Sequence, residues 1–103
     1  MSTFPDVQVV GMHFRGPDAK EAVASLEPGT MLRLEREPDN QYDPNAIKVF
    51  FESLWIGYIE RGQAAWIAPL MDEGATPTCT VTEVREIESG RKTNLHPIVS
   101  IVA

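Results

Sequence analysis

Apolar and polar positions alternate with a period of two along most of this chain, and helical spacing appears in only two stretches. From Asp6 to Met12 the alternation puts Val7, Val9 and Gly11 on one strand face and Gln8, Val10 and Met12 on the other. The period then changes. Ala19, Ala22, Val23 and Leu26 follow the i, i+3, i+4, i+7 spacing of a short helix over 17–26. Pro17 suits its first position, Asp18 and Glu21 complement the positive end of its dipole, and Pro28-Gly29 stops it. Thr30 to Glu35 alternates again, with Leu32 and Leu34 inward. Ala46–Phe51 and Trp55–Ile59 predict two more strands, joined by a hairpin turn at Glu52-Ser53-Leu54. Gly57 inside the second of them predicts a bulge or a close backbone approach.

The second helical stretch is Gly62–Glu73, where Ala64, Ala65, Ile67, Ala68, Leu70 and Met71 form the apolar face. Pro69 within it removes one backbone bond and predicts a kink or a break into two short pieces. Thr78–Glu88 and Leu95–Val102 are the last β-rich runs, linked through residues 89–94. In the final run Leu95, Pro97, Val99 and Ile101 share a face, and Pro97 argues for an edge position or a bulge. The order is therefore β-α-β-β-β-α-β-β, mostly β with two short helices. It predicts a single domain over 1–103, built as a six-stranded OB-like or SH3-like barrel.

Between the second and third strands lies the densest chemistry, Arg36-Glu37-Pro38-Asp39-Asn40-Gln41-Tyr42-Asp43-Pro44-Asn45. Each proline fixes its own φ and disfavours the α region for the residue before it, so Glu37 and Asp43 are expected in extended or turn conformations. The Asn and Asp side chains can bond their own backbone and order the loop without a core of its own. Tyr42 and Asp43 set an aromatic face beside a carboxylate, a pair suited to a ligand with a flat ring and a hydroxyl. As a connector alone, the same loop would use Tyr42 as an anchor and Asp43 as a turn residue.

Charge narrows the partners. Nine Lys/Arg against 15 Asp/Glu give −6, which repels polyanions at long range and argues against indiscriminate duplex binding. The single cysteine, Cys79, allows neither an internal disulfide nor a cysteine-based zinc cluster. No apolar run reaches membrane-spanning length, and the first ten residues lack a basic-then-apolar layout. A cytoplasmic setting without a membrane partner is the expectation.

The string Leu34 to Val49, with Ile56-Gly57-Tyr58-Ile59 and Ala68-Pro69-Leu70-Met71-Asp72-Glu73-Gly74, resembles the HIRAN domain from Val10-Gly11 onward. That family occurs fused to SNF2-type fork-remodelling ATPases and as small stand-alone proteins of bacteria and phages; this chain is similar to the latter. The resemblance implies an OB-type barrel that grips the 3′-hydroxyl end of single-stranded DNA, in DNA repair or fork processing, beside a helicase or nuclease partner. No cofactor or metal is expected, and with no nucleophile motif in the sequence catalysis ranks below binding.

Carried over by position, Tyr42 matches the aromatic that packs on the terminal nucleotide, and Asp43 the carboxylate that accepts from the 3′-hydroxyl. Phe14 stands where the family usually has a second stacking tyrosine, and so lacks its hydroxyl. His13 takes the place of a basic neighbour, Asn40 that of a loop amide, and Tyr58 that of a histidine in some members. Arg61 matches a phosphate-binding residue, and Lys92 falls near a contact region of the last hairpin. Gln41 replaces a common proline.

Other readings compete. Phe14 could be a core residue at the end of an apolar strand, and Trp55 and Trp66 read as packing residues. Glu35, Glu37, Asp39 and Asp43 could hold Mg²⁺ as in a nuclease, but no Lys or His within that run completes a catalytic set. A protein-interaction module is the remaining alternative; an exposed apolar groove would favour it, and an aromatic-lined pocket with a basic rim would favour DNA.

Overall fold

The computed structural model describes residues 2–103. Antiparallel strands β1 (Thr3–Val10), β2 (Met31–Arg36), β3 (Ile47–Phe51), β4 (Leu54–Ile59), β5 (Thr78–Ser89) and β6 (Lys92–Val102) close on themselves in the order β1-β4-β3-β2-β5-β6. A 3-10 helix (Met12–Phe14) and α1 (Pro17–Ser25) follow β1, and α2 (Arg61–Asp72) follows β4. The expected order and the barrel are both present.

Alternation decides what lies inside. Val7 and Val9 of β1, Leu32 of β2, Ile47 and Val49 of β3, Ile56 and Ile59 of β4 all point into one core. Ala19 and Val23 of α1 and Ala64, Ile67 and Ala68 of α2 complete it. Each such Val, Leu or Ile contributes about 1.5–3 kcal/mol by leaving water. Ring closure seals the sheet at its ends: Ser2 and Ala103 exchange backbone hydrogen bonds of 2.7 and 2.8 Å.

Several local details differ from the sequence reading. β1 starts at Thr3 and stops at Val10, because Gly11 turns the chain with φ +81°. Met12 is buried in the 3-10 helix rather than paired on a strand face. Helix α2 runs as one piece through Pro69. One missing N–H, opposite the Ala65 carbonyl, is tolerated because the helix is anchored at its start: the Glu60 carboxylate accepts from Gly62 and Gln63 N–H at 2.8 and 3.0 Å. The last hairpin turn is shorter than residues 89–94, with β6 already paired at Lys92. Pro97 is buried and paired opposite Val84, in a ring without edges. A bulge lies nearby on β5, between Val81 and Glu83.

Gly57 meets both expectations. The β3–β4 register slips between Val49 and Phe50, and a Cβ on Gly57 would stand 2.4 Å from the Val10 carbonyl oxygen. Only a residue without a side chain lets β1 come so close to β4.

Candidate nucleic-acid interface

The loop between β2 and β3 is built by its own side chains. Asn40 Oδ1 accepts from the backbone N–H of Tyr42 and Asp43 at 2.9 and 3.0 Å, and Asp43 Oδ1 accepts from Asn45 N–H at 2.9 Å. These are the Asx turns that the loop composition predicts. Arg36 then ties the loop down. Its guanidinium donates to the carbonyls of Ala46 (2.7 Å) and Pro44 (2.9 Å), and bidentately to the Asp72 carboxylate at the end of α2 (2.9 and 3.1 Å). Arg36 holds Asp72 below the ordinary carboxylate range, chiefly through that hydrogen bond.

Beneath the loop sits a second polar knot centred on Glu37. Its Oε1 accepts from Asn40 Nδ2 (2.6 Å) and from the Tyr58 hydroxyl (2.8 Å), and its Oε2 from Lys48 Nζ (3.0 Å). Burial alone would raise the Glu37 pKa; the donors Asn40, Tyr58 and Lys48 together outweigh it and hold the group below its usual value. Tyr58 shifts the other way, raised by burial and by the facing Glu37 carboxylate, so its phenol stays a neutral donor.

This scaffold leaves an open cleft of about 260 Å³ between the loop, β4 and the first turn of α2. Val10, Ala46 and Ile59 supply its apolar lining. Asn40, Tyr42, Asp43, Tyr58 and Arg61 supply the rest, so the cleft gathers five of the eight residues singled out from sequence. Tyr42 is 84% exposed and therefore does not pin the loop as an anchor would. Asp43 serves the Asx turn with Oδ1 only; among the described residues its Oδ2 has no hydrogen-bond partner. Arg61, exposed at the start of α2, adds the one cation of the lining.

The other three residues lie outside that cleft. Phe14 is 74% exposed on the 3-10 helix, not in the core, and His13 tilts against it at 4.1 Å between ring centroids. The helix still begins beside the cleft, since a Cβ on Gly11 would lie 3.9 Å from the Tyr58 ring. His13 lines a separate depression with Lys20, Thr93 and Asn94. Lys92 is exposed next to that depression, at the first residue of β6.

Arg36 and Lys48, which the sequence reading did not single out, and Glu37, which it named only in the acidic run, support the loop. The hairpin pairing carried the signal for one of them: Lys48 and Tyr58 are register partners across β3 and β4. Trp66, expected to pack, is 76% exposed on the outer face of α2. Among the described residues no three His, Cys, Asp or Glu side chains converge as metal ligands. The acidic run is instead dispersed, with Glu37 engaged by its three donors.

The chain is thus a small closed six-stranded antiparallel barrel whose ordered β2–β3 loop overhangs an aromatic and carboxylate cleft. The HIRAN domain model matches residues 4–100, and the chain belongs to that family. A crystal structure of a protein from Lactobacillus plantarum is similar over 96% of this chain and 92% of its own, with 32% identity and a TM-score of 0.73. The crystal structure of the HIRAN domain of human HLTF is similar in fold, at 22% identity and a TM-score of 0.67, covering 97% of this chain and 74% of that one. No curated protein sequence matches the chain significantly.

Proposed function

We propose that this HIRAN domain binds DNA, and that its cleft takes the 3′-hydroxyl end of a single strand. The observation that carries the reading is Asp43. One carboxylate oxygen is held by the turn and the other is left unpartnered in a cleft walled by Tyr42 and Tyr58. An ionised carboxylate only accepts hydrogen bonds, and a free 3′-hydroxyl is a donor. The exposed Tyr42 ring offers a stacking face for the terminal base or sugar, and Arg61 a partner for the phosphate one nucleotide back. A binding role in DNA repair or fork processing is part of the same reading.

The test compares strands that differ only at the 3′ end. The charge-assisted bond is worth about 1.5–3 kcal/mol, so the 3′-hydroxyl strand should bind roughly tenfold to 100-fold tighter than its 3′-phosphate counterpart. Asp43→Asn keeps an oxygen for Asn45 N–H and removes the charge; it should erase most of the preference, as should Asp43→Ala. Asp39→Ala, on the exposed outer side of the loop, should leave it intact. Equal binding of both strands by the native protein, or binding of neither, defeats the reading.

The exposure of Trp66 favours one further role, a docking face on α2 for a helicase or nuclease partner. There Trp66→Ala should weaken partner capture and leave oligonucleotide affinity unchanged; loss of oligonucleotide binding would contradict the assignment.

A further inference from the structure

The outer face of β2, β3 and β4 carries a ladder of rings and cations that the end-binding cleft does not use. Strand register builds it: Arg33 pairs with Phe50, and Phe50 with Trp55, while Lys48 pairs with Tyr58 on the adjacent row. Phe50 and Trp55 stack at 6.5 Å, and Trp55 meets Tyr58 edge-on at 5.4 Å. The ladder thus ends on a residue of the cleft wall.

Two of the three rings are topped by cations, Phe50 by one and Trp55 by two. The Arg33 guanidinium lies 4.2 Å from the Phe50 centroid, Arg15 3.7 Å from that of Trp55, and Lys48 Nζ 4.5 Å from the same ring. Among the described residues neither Arg15 nor Arg33 forms an ion pair, whereas Arg36 and Arg85 do. Glu35 faces Lys48 across the strands, and Glu37 holds one Lys48 donor, yet three cations still outnumber the two carboxylates on these rows. On a chain of charge −6 that is a local reversal of sign.

We propose that this ladder carries the backbone of the single strand as it leaves the cleft, with Arg15, Lys48 and Arg33 contacting successive phosphates. The proposal rests on the reading of the cleft as a 3′-end site. Stacking occupies the flat face of a guanidinium and leaves its N–H edge free for bidentate contact with phosphate oxygens. A side chain already held against a ring loses less freedom when that contact forms. Neighbouring strands lie about 4.8 Å apart, so the path from Tyr58 to Arg33 crosses roughly 10 Å of sheet. With the nucleotides held in the cleft, such a track reaches the lower end of the roughly 4–16 nucleotides that one OB-type barrel engages.

The experiment measures competition by unlabelled dT3 and dT10, both ending in 3′-hydroxyl, for native protein, Arg33→Glu and Arg85→Glu. Native protein should favour dT10 by about tenfold or more, with a salt slope steeper by about 0.7 for each phosphate that the ladder neutralises. Arg33→Glu should lose most of that length gain and keep the affinity for dT3 and the preference for a 3′-hydroxyl. Arg85→Glu, the same charge change on β5, should behave as native. Equal affinity for dT3 and dT10 overturns the proposal. Equal losses in Arg33→Glu and Arg85→Glu also overturn it, since a general charge effect then explains the gain. A deca-glutamate peptide that competes as well as dT10 overturns it too, in favour of an acidic protein partner. A length gain that depends on Arg33 without any 3′-end preference would keep the ladder and remove the cleft reading. The reverse result would do the opposite.

Discussion

Protonation of Glu37 would remove the charge that three donors share and occupy one of its two oxygens, so this carboxylate links loop order to pH. Its folded pKa lies below the ordinary value near 4.5. A depressed carboxylate contributes stability that is present above the unfolded pKa and is lost as pH falls through the folded one. The urea midpoint should therefore hold from neutral pH down to about 4.5 and fall below it. Glu37→Gln should start from a lower midpoint and show a flatter acid limb; an unchanged limb would show that Glu37 does not couple the loop to pH. Asp72, also depressed by its Arg36 partner, loses its contribution only below its own ordinary value of 3.8 and is largely exposed, so its share is the smaller. At this scale the sequence was legible where chemistry is local. The Asx turns at Asn40 and Asp43 follow from residue type alone. Glu37 was not legible as a hub, because two of its partners, Lys48 and Tyr58, arrive from other strands.

Among the elements, the approach of β1 to β4 at Gly57 has the least tolerance. Gly57→Ala would drive a Cβ into the Val10 carbonyl and should cost about 1–3 kcal/mol or more in urea unfolding. A variant as stable as the native protein would mean that the two strands can part without loss. Arg36→Ala tests the clamp between loop and α2. It leaves the Pro44 carbonyl without this donor and frees Asp72, so about 1.5–3 kcal/mol should be lost together with cleft affinity. Element order and facing were readable where the period-two pattern is clean, as in β2 and β3, and less so in β4 and β6, where consecutive residues are buried. Pro69 was harder, since a helix breaker in sequence is overruled once Glu60 caps the start and Ile67 and Ala68 are buried. The exposure of Trp66 was unreadable for a related reason: large aromatics look like core until the core is seen to be full of Val and Ile.

For the molecule as a whole, a charge of −6 leaves any attraction for nucleic acid to a few placed cations. Binding to short single strands should show a shallow salt dependence, about 0.7 per phosphate neutralised, and Arg61→Ala should flatten it. Duplex held as tightly as single strand would contradict a cleft that admits one end. The pairing of Ser2 with Ala103 has a separate consequence for how such a barrel can travel between proteins. Its entry and exit points touch, so a host polypeptide can step into the barrel and out again at one place, with no spacer to bridge and no displacement of the segments on either side. The same adjacency would let the ring be cut elsewhere and rejoined there. A circular permutant with Ala103 linked to Ser2 and new ends at the exposed Gly90-Arg91 turn should fold and bind the same oligonucleotides as the native chain.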